Sequence, residues 1–270
     1  MNISDFLTVP FLQNAVIGGV LIAVLLSVLS LFVFVKKWSF INIGISHAAF
    51  GGLAIGFFLG INPTLIGSIF AISIGLLIGY ISKKGQIHED ISIGILLSFS
   101  MALGVVVMSF SNNYNSDLFA FLFGNILTIT YQDIIIISSF SIISIAFIFY
   151  NLEKLMYCCF DEELANISGI NTNFLYYATI TIIAVATVLS IKLVGSILSS
   201  AMIILPAATA SQIFWRYKSI ILTSVIISVF TVLLGIYVSF EYNLPSGSTI
   251  VIIYSLIFFT AVIFKRVFLG

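Results

Sequence analysis

His47 is the one ionisable side chain set deep inside an apolar run of this 270-residue chain. It stands seven residues past the start of that run, so at helical rise it lies roughly 10 Å in from the membrane boundary. Ionisable groups at such depth usually face a bundle interior or a wet path, and neutral imidazole is a common ligand for borderline metals. Ser46 precedes it, and Asn42 is the nearest other polar group but points elsewhere on the helix. Taken alone, a single histidine in a packed helix is more often a satisfied core residue than a ligand. Ser98, Ser100 and Met101, and again Ser199, Ser200 and Met202, put small polar groups beside a thioether in other apolar runs. Serines in such runs often only bond the backbone one turn back. Gly195 opens the run that holds Ser199, and Pro206 interrupts it. A residue without an amide hydrogen breaks or kinks a helix there, a natural place for a gate.

The elements that must hold these groups are membrane helices. The chain is 61% hydrophobic and 7% charged, with a mean hydropathy of +1.25, against roughly 25% charged residues in a soluble domain. That predicts an all-α integral membrane protein, residues 1–270 forming a single transmembrane domain in a lipid bilayer. The net charge is zero, so no basic surface points to nucleic acid. Apolar runs of about 20 residues predict nine spans: Phe11 to Val35, Phe40 to Gly60, Thr64 to Ser82, Ile91 to Ser111, Gln132 to Tyr150, Phe174 to Ile191, Gly195 to Phe214, Ser219 to Phe240 and Thr249 to Phe264. The opening MNISDFLTVP has no basic segment or cleavage site, so the first run reads as a retained span. In the second, Gly44, Ala48, Gly52 and Gly56 make a smooth ridge beside His47 that lets another helix come close. Cys158 and Cys159 are adjacent and frame no disulfide.

Basic residues orient the spans, because loops keeping Lys and Arg stay in the cytoplasm. Lys36, Lys37, Lys83, Lys84, Lys154, Arg216, Lys218, Lys265 and Arg266 all fall on one side, and Lys192 alone falls opposite. The N-terminus is therefore expected outside and the C-terminus inside, with Trp38 and Trp215 in the inner aromatic belt. For this parity to hold, Leu118 to Thr130 must not cross. Gly124 and Asn125 interrupt it, and it reads as a re-entrant half-helix that protein or a wet cavity must cover. Asp5, Asp117, Asp133 and Glu241 lie at or near the outer side, a mouth that suits a cation.

Asn151 to Asn171 is the longest polar interval, and it lies on the inner side. Asp161 is a suitable N-cap, Glu162 and Glu163 sit in a first turn where the helix dipole favours anions, and Gly169 is a suitable stop. A short helix near 161–169 follows, with Phe160, Leu164 and Ile167 along one apolar edge and Ala165 between them. No G-x-x-x-x-G-K-[ST] phosphate cradle occurs, so energy must come from a partner or an ion gradient.

Four stretches in order carry a resemblance: SHAAFGGLAIGFFLGINP (Ser46 to Pro63), FLFGNIL (Phe121 to Leu127), FDEELANISGI and KLVGSILSSAMIILPAATA (Lys192 to Ala210). HEDISIGIL, opening the fourth span, adds to it. Together they resemble the metal-ion ABC importer permeases, the zinc and manganese family. The resemblance implies a transport subunit and not an enzyme, working as a homodimer in the inner membrane of a prokaryote. It implies a separate ATP-binding cassette ATPase seated on the 160–169 segment as coupling helix, and an extracytoplasmic metal-binding protein. That protein is expected to dock on loops Asn112 to Ser116 and Tyr242 to Ser248. The divalent metal is cargo, Zn²⁺ ahead of Mn²⁺, with no permanently bound cofactor, and His47 takes the place of the family's pathway histidine. One departure stands out: the family's usual Asp four residues earlier is Ile43 here. A single histidine cannot hold either ion unaided, though a conduit must also let its ion leave. Two other classes remain open, a secondary cation transporter, which needs intramembrane carboxylates, and a permease for an iron chelate.

Overall fold

A computed structural model describes residues 10–110 and 129–268. The helices are α1 (Pro10–Val35), α2 (Ile41–Leu59), α3 (Pro63–Gly85), α4 (Glu89–Ser109), α5 (Tyr131–Tyr150), α6 (Leu152–Phe160), α7 (Glu162–Ile167), α8 (Thr172–Val194), α9 (Ser196–Ile213), α10 (Tyr217–Glu241) and α11 (Ser246–Phe268). No strand occurs among the described residues. Nine of these helices, all but α6 and α7, are long and apolar enough to cross a membrane. They correspond one to one with the nine predicted runs. Several extend by a turn beyond the apolar stretch because polar residues can stay helical in the interface: α3 continues through Lys83 and Lys84 and α11 through Lys265 and Arg266, where cations suit a helix C-terminus. The half-helix expected over Leu118 to Thr130 lies outside the described residues except for Ile129 and Thr130, as do the FLFGNIL stretch and the Asn112 to Ser116 loop.

The described residues group into two units, each assembled from separate stretches of chain. The first comprises α1, α5 as far as Phe147, the end of α8 from Ser190, and α9 to α11. Here α1 is mostly apolar and packs on α9 and α10, with Leu12, Ile22, Leu26 and Leu29 fully enclosed. Pro206 removes one amide hydrogen from α9. The next amide, of Ala207, donates to Ser30 Oγ of α1 at 3.0 Å. A hydroxyl from a neighbouring helix thus satisfies a group at the proline, which is how membrane helices tolerate one. Close approach governs α10 and α11 too: a Cβ on Gly235 would lie 2.4 Å from Ile250 Cγ1.

The second unit holds α2, α3, α4, α6, α7 and α8 as far as Leu189. The expected glycine ridge is the seam of α2. A Cβ on Gly52 would sit 2.6 Å from Phe70 Cβ and 2.8 Å from Gly67 Cα, both on α3, and one on Gly44 would sit 2.8 Å from Ile93 Cγ2 on α4. Gly51 presses on the Ser100 carbonyl of α4 at 2.6 Å by the same measure. Gly60 ends α2 with φ +66°, its amide and that of Ile61 returning to Phe57 and Gly56, the paired bonds of a Schellman stop.

Two expectations need correction. Trp38 does not face outward as a belt residue would. It is only 2% exposed, because Tyr176 of α8 packs edge-on against it at 5.5 Å. The polar interval also contains a helix, α6, that was not anticipated; Leu152, Leu155 and Met156 bury one side of it.

Candidate functional site

His47 projects from the glycine-lined helix α2 and is half-buried. Its Nδ1 lies 2.9 Å from the Ile43 carbonyl oxygen and 3.4 Å from Ser46 Oγ, which itself donates to that carbonyl at 2.9 Å. A carbonyl only accepts, so Nδ1 carries the hydrogen and, in the neutral ring, Nε2 keeps the lone pair. A donor bond from the far ring nitrogen is the usual way a metal-binding histidine is oriented. The backbone at Ile43 therefore supplies the anchor even though its side chain offers no carboxylate. Asn42 is fully buried and faces α8, where its Oδ1 accepts from Thr187 Oγ1 at 2.6 Å. It braces two helices. Among the described residues no group of three or more His, Cys, Asp or Glu could hold a metal ion.

Ser199, Ser200 and Met202 belong to the other unit. Ser199 shares a 2.6 Å hydrogen bond with Ser190 of α8. Ser200 donates to the Ser196 carbonyl at 2.8 Å, and Met202 is fully buried. Gly195, at φ +82°, separates α8 from α9 in a conformation that a side chain would resist. In α4, Ser98 donates to the Gly94 carbonyl at 2.9 Å, while Ser100 Oγ is buried with no hydrogen-bond partner among the described residues. Asp133, near the start of α5, accepts from both the amide and the hydroxyl of Thr130, at 3.1 and 2.7 Å, and its own amide donates back to that hydroxyl. This reciprocal capping gives the carboxylate a structural task.

The elbow of α6 and α7 is the other feature. Asp161 Oδ1 accepts from the Leu164 amide at 2.9 Å, as expected of an N-cap, and Glu162 and Glu163 occupy the first turn. At the far end Gly169 takes φ +82°, and the amides of Gly169 and Ile170 return to Asn166 and Ala165, a second Schellman stop. Ala165 is wholly buried, whereas Phe160, Leu164 and Ile167 are 76%, 52% and 81% exposed. A six-residue helix thus holds an apolar edge outward beside two carboxylates. A cleft of about 390 Å³ opens alongside, lined by Lys83, Glu162, Glu163, Asn166, Thr172 and Asn173. Lys83, from the last turn of α3, forms an ion pair with Glu162. Sequence reasoning used Lys83 only to orient the spans and passed over Thr187 and Ser30, since the partners of all three lie far along the chain; it also passed over Ser190, whose partner is nine residues away across the break between α8 and α9. The cysteines are free thiols, and burial pushes Cys159 up to about 11, with Lys36 opposing weakly, so both act as apolar fillers of α6.

Fold and site define a polytopic helical membrane protein with a short, outward-facing helical elbow between its fifth and sixth spans. Residues 8–265 match the ABC 3 transport family. The chain belongs to that family, the metal-ion ABC importer permeases that its motifs resemble. It is 34% identical over 256 residues to the manganese transport system membrane protein MntC of Listeria innocua, covering 94% of this chain and 90% of that one. It is also 34% identical over 248 residues to the manganese import system permease protein ScaB of Streptococcus gordonii, covering 92% and 89%. Among solved structures, PsaBC from Streptococcus pneumoniae in complex with Fab superposes with a TM-score of 0.82 at 30% identity, over 96% of this chain and 93% of that one.

Proposed function

We propose that this chain is the membrane conduit of an ATP-driven importer of Mn²⁺, with Zn²⁺ the second substrate. The observation that carries the mechanism is the elbow: α7 is capped at both ends and buries Ala165, and Leu164 and Ile167 of α7 with Phe160 at the end of α6 face outward next to Glu162 and Glu163. A helix so short is not stable by itself, and its exposed apolar edge in a polar segment suits a protein partner. In this reading that partner is the ATPase, one on each of two permease copies. The two relatives above are named for manganese, and that favours Mn²⁺ over the Zn²⁺ first expected.

The N-terminus lies outside, the C-terminus inside, and a metal-binding protein delivers the ion to the outer loops, Tyr242 to Ser248 among them. Nε2 of His47 lends the passing ion one ligand, water completes the shell, and so weak a grip allows release inward. Ser46 helps to orient the imidazole. Ser199, Ser200 and Met202 line the path when Gly195 and Pro206 let α9 reshape. Asp133, in the first turn of α5, is engaged by Thr130, which argues against its use as a proton relay. Radioactive Mn²⁺ uptake into vesicles holding the permease and its ATPase tests the substrate. Excess Mn²⁺ is expected to suppress the signal at lower concentration than Zn²⁺ or Fe²⁺, and the reverse order of Zn²⁺ and Mn²⁺ would contradict the choice of metal.

A further inference from the structure

Two lysines, one just past α1 and one in the last turn of α3, fasten the elbow to the rest of its unit. Lys36 donates to the Cys158 carbonyl at 3.1 Å, one of the last carbonyls of α6, which helix geometry leaves without a partner from the next turn. Lys83 pairs with Glu162 at the start of α7, and its Nζ also lies 4.8 Å from the centre of the Tyr176 ring. Tyr176 is itself fixed on two further sides. Its hydroxyl donates to Glu89 Oε1 in the first turn of α4 at 3.4 Å, and its ring meets buried Trp38, just ahead of α2. One ammonium group therefore connects the end of α3 with α7 and, through one aromatic ring, with α8, α4 and the approach to α2.

We propose that Lys83 and Lys36 are positioning residues for transport, tying the elbow so firmly to α2, α3 and α4 that a displacement of α7 reaches the helix of His47 without slack. The proposal rests on α7 being the ATPase contact. Lys83 and Glu162 side chains are 24% and 39% exposed, so their pairing adds little to folding; its value is directional. Without the two lysines, Asn151 on one side and Gly169 on the other are the joints about which the elbow would swing.

The purified permease alone provides the first readout. Spin labels at Ser39→Cys and Glu163→Cys, with Cys158→Ser and Cys159→Ser, are expected to give one narrow distance. K83E and E162K should broaden it, K83R should not, and the charge-swapped K83E/E162K should narrow it again. In the assembled transporter, ATP hydrolysed per Mn²⁺ imported is expected to rise about fivefold or more in each single reversal and return to within about twofold in the swap, the signature of a pairwise coupling. An unchanged narrow distance in K83E overturns the proposal, as does a swap that restores neither readout. Should Glu162 touch the ATPase directly, E162K stays defective in transport even with K83E, which also counts against the strut. If distances behave as expected but wild-type transporter imports no Mn²⁺, the strut stands and the assigned function falls.

Discussion

The Ile43 carbonyl does for His47 what a carboxylate one turn away would do in part: it accepts from Nδ1 and fixes the ring. It cannot add a charged ligand. His47→Ala is therefore expected to lower Mn²⁺ uptake by about 10- to 100-fold, the range for losing a metal-site group, with assembly with the ATPase retained as the control. Ile43→Asp should act in the opposite sense on binding. With a carboxylate one turn before His47, purified permease should retain Mn²⁺ detectably in a paramagnetic binding assay, whereas wild type should not. Ser30 offers a second residue-scale test. Ser30→Ala removes the hydroxyl that accepts from the Ala207 amide, a loss expected to cost about 1–3 kcal/mol, and thermal unfolding in detergent should show it. Ser30→Thr keeps the oxygen and should unfold close to wild type.

For the helices, what could be read from the chain depended on how local the cause was. The nine spans were legible because each is a nearly unbroken apolar run, and the limits of α7 because Asp161 and Gly169 act within four residues of their own partners. The helix α6 was not legible: it is nine residues long and shows its apolar side only once there is something for Leu152, Leu155 and Met156 to pack on. Pairings such as Asn42 with Thr187 and Lys83 with Glu162 join loops or helices far apart in sequence and leave no trace in either local pattern. The same distance kept Trp38 from being recognised as a core residue. The glycine seam, in contrast, showed in the spacing of Gly44, Ala48, Gly52 and Gly56. Its consequence is testable, because a side chain at Gly52 meets backbone of α3 as well as Phe70. Gly52→Leu should sharply reduce the yield of folded permease, with Gly60→Ala, which meets nothing within 4 Å but has φ +66°, costing only about 1 kcal/mol of left-handed strain. At α7, Leu164→Asp puts a charge into the exposed apolar edge and Glu163→Lys reverses one beside it. Both are expected to abolish ATPase co-purification or coupled hydrolysis while the permease itself still folds, measured by its elution from a sizing column.

At the scale of the whole molecule, the described residues hold nine helices long and apolar enough to cross a membrane, with one half-buried histidine among them. Its most elaborately secured polar feature is the elbow of α6 and α7. In the proposed mechanism the energy for moving an ion enters through α6 and α7, and the side of the membrane they occupy becomes a requirement of that proposal. Labelling of a cysteine at Glu163 from the same side as one at Arg266, and from the side opposite to one at Tyr242, is what the arrangement of basic residues predicts.

The most direct measurement is Mn²⁺ flux into sealed vesicles containing this permease, with and without its ATPase and ATP. Accumulation is predicted only when the ATPase and hydrolysable nucleotide are both present, and is predicted to vanish with Leu164→Asp. Uptake of the same size by the permease alone, driven by an ion gradient, would contradict the account.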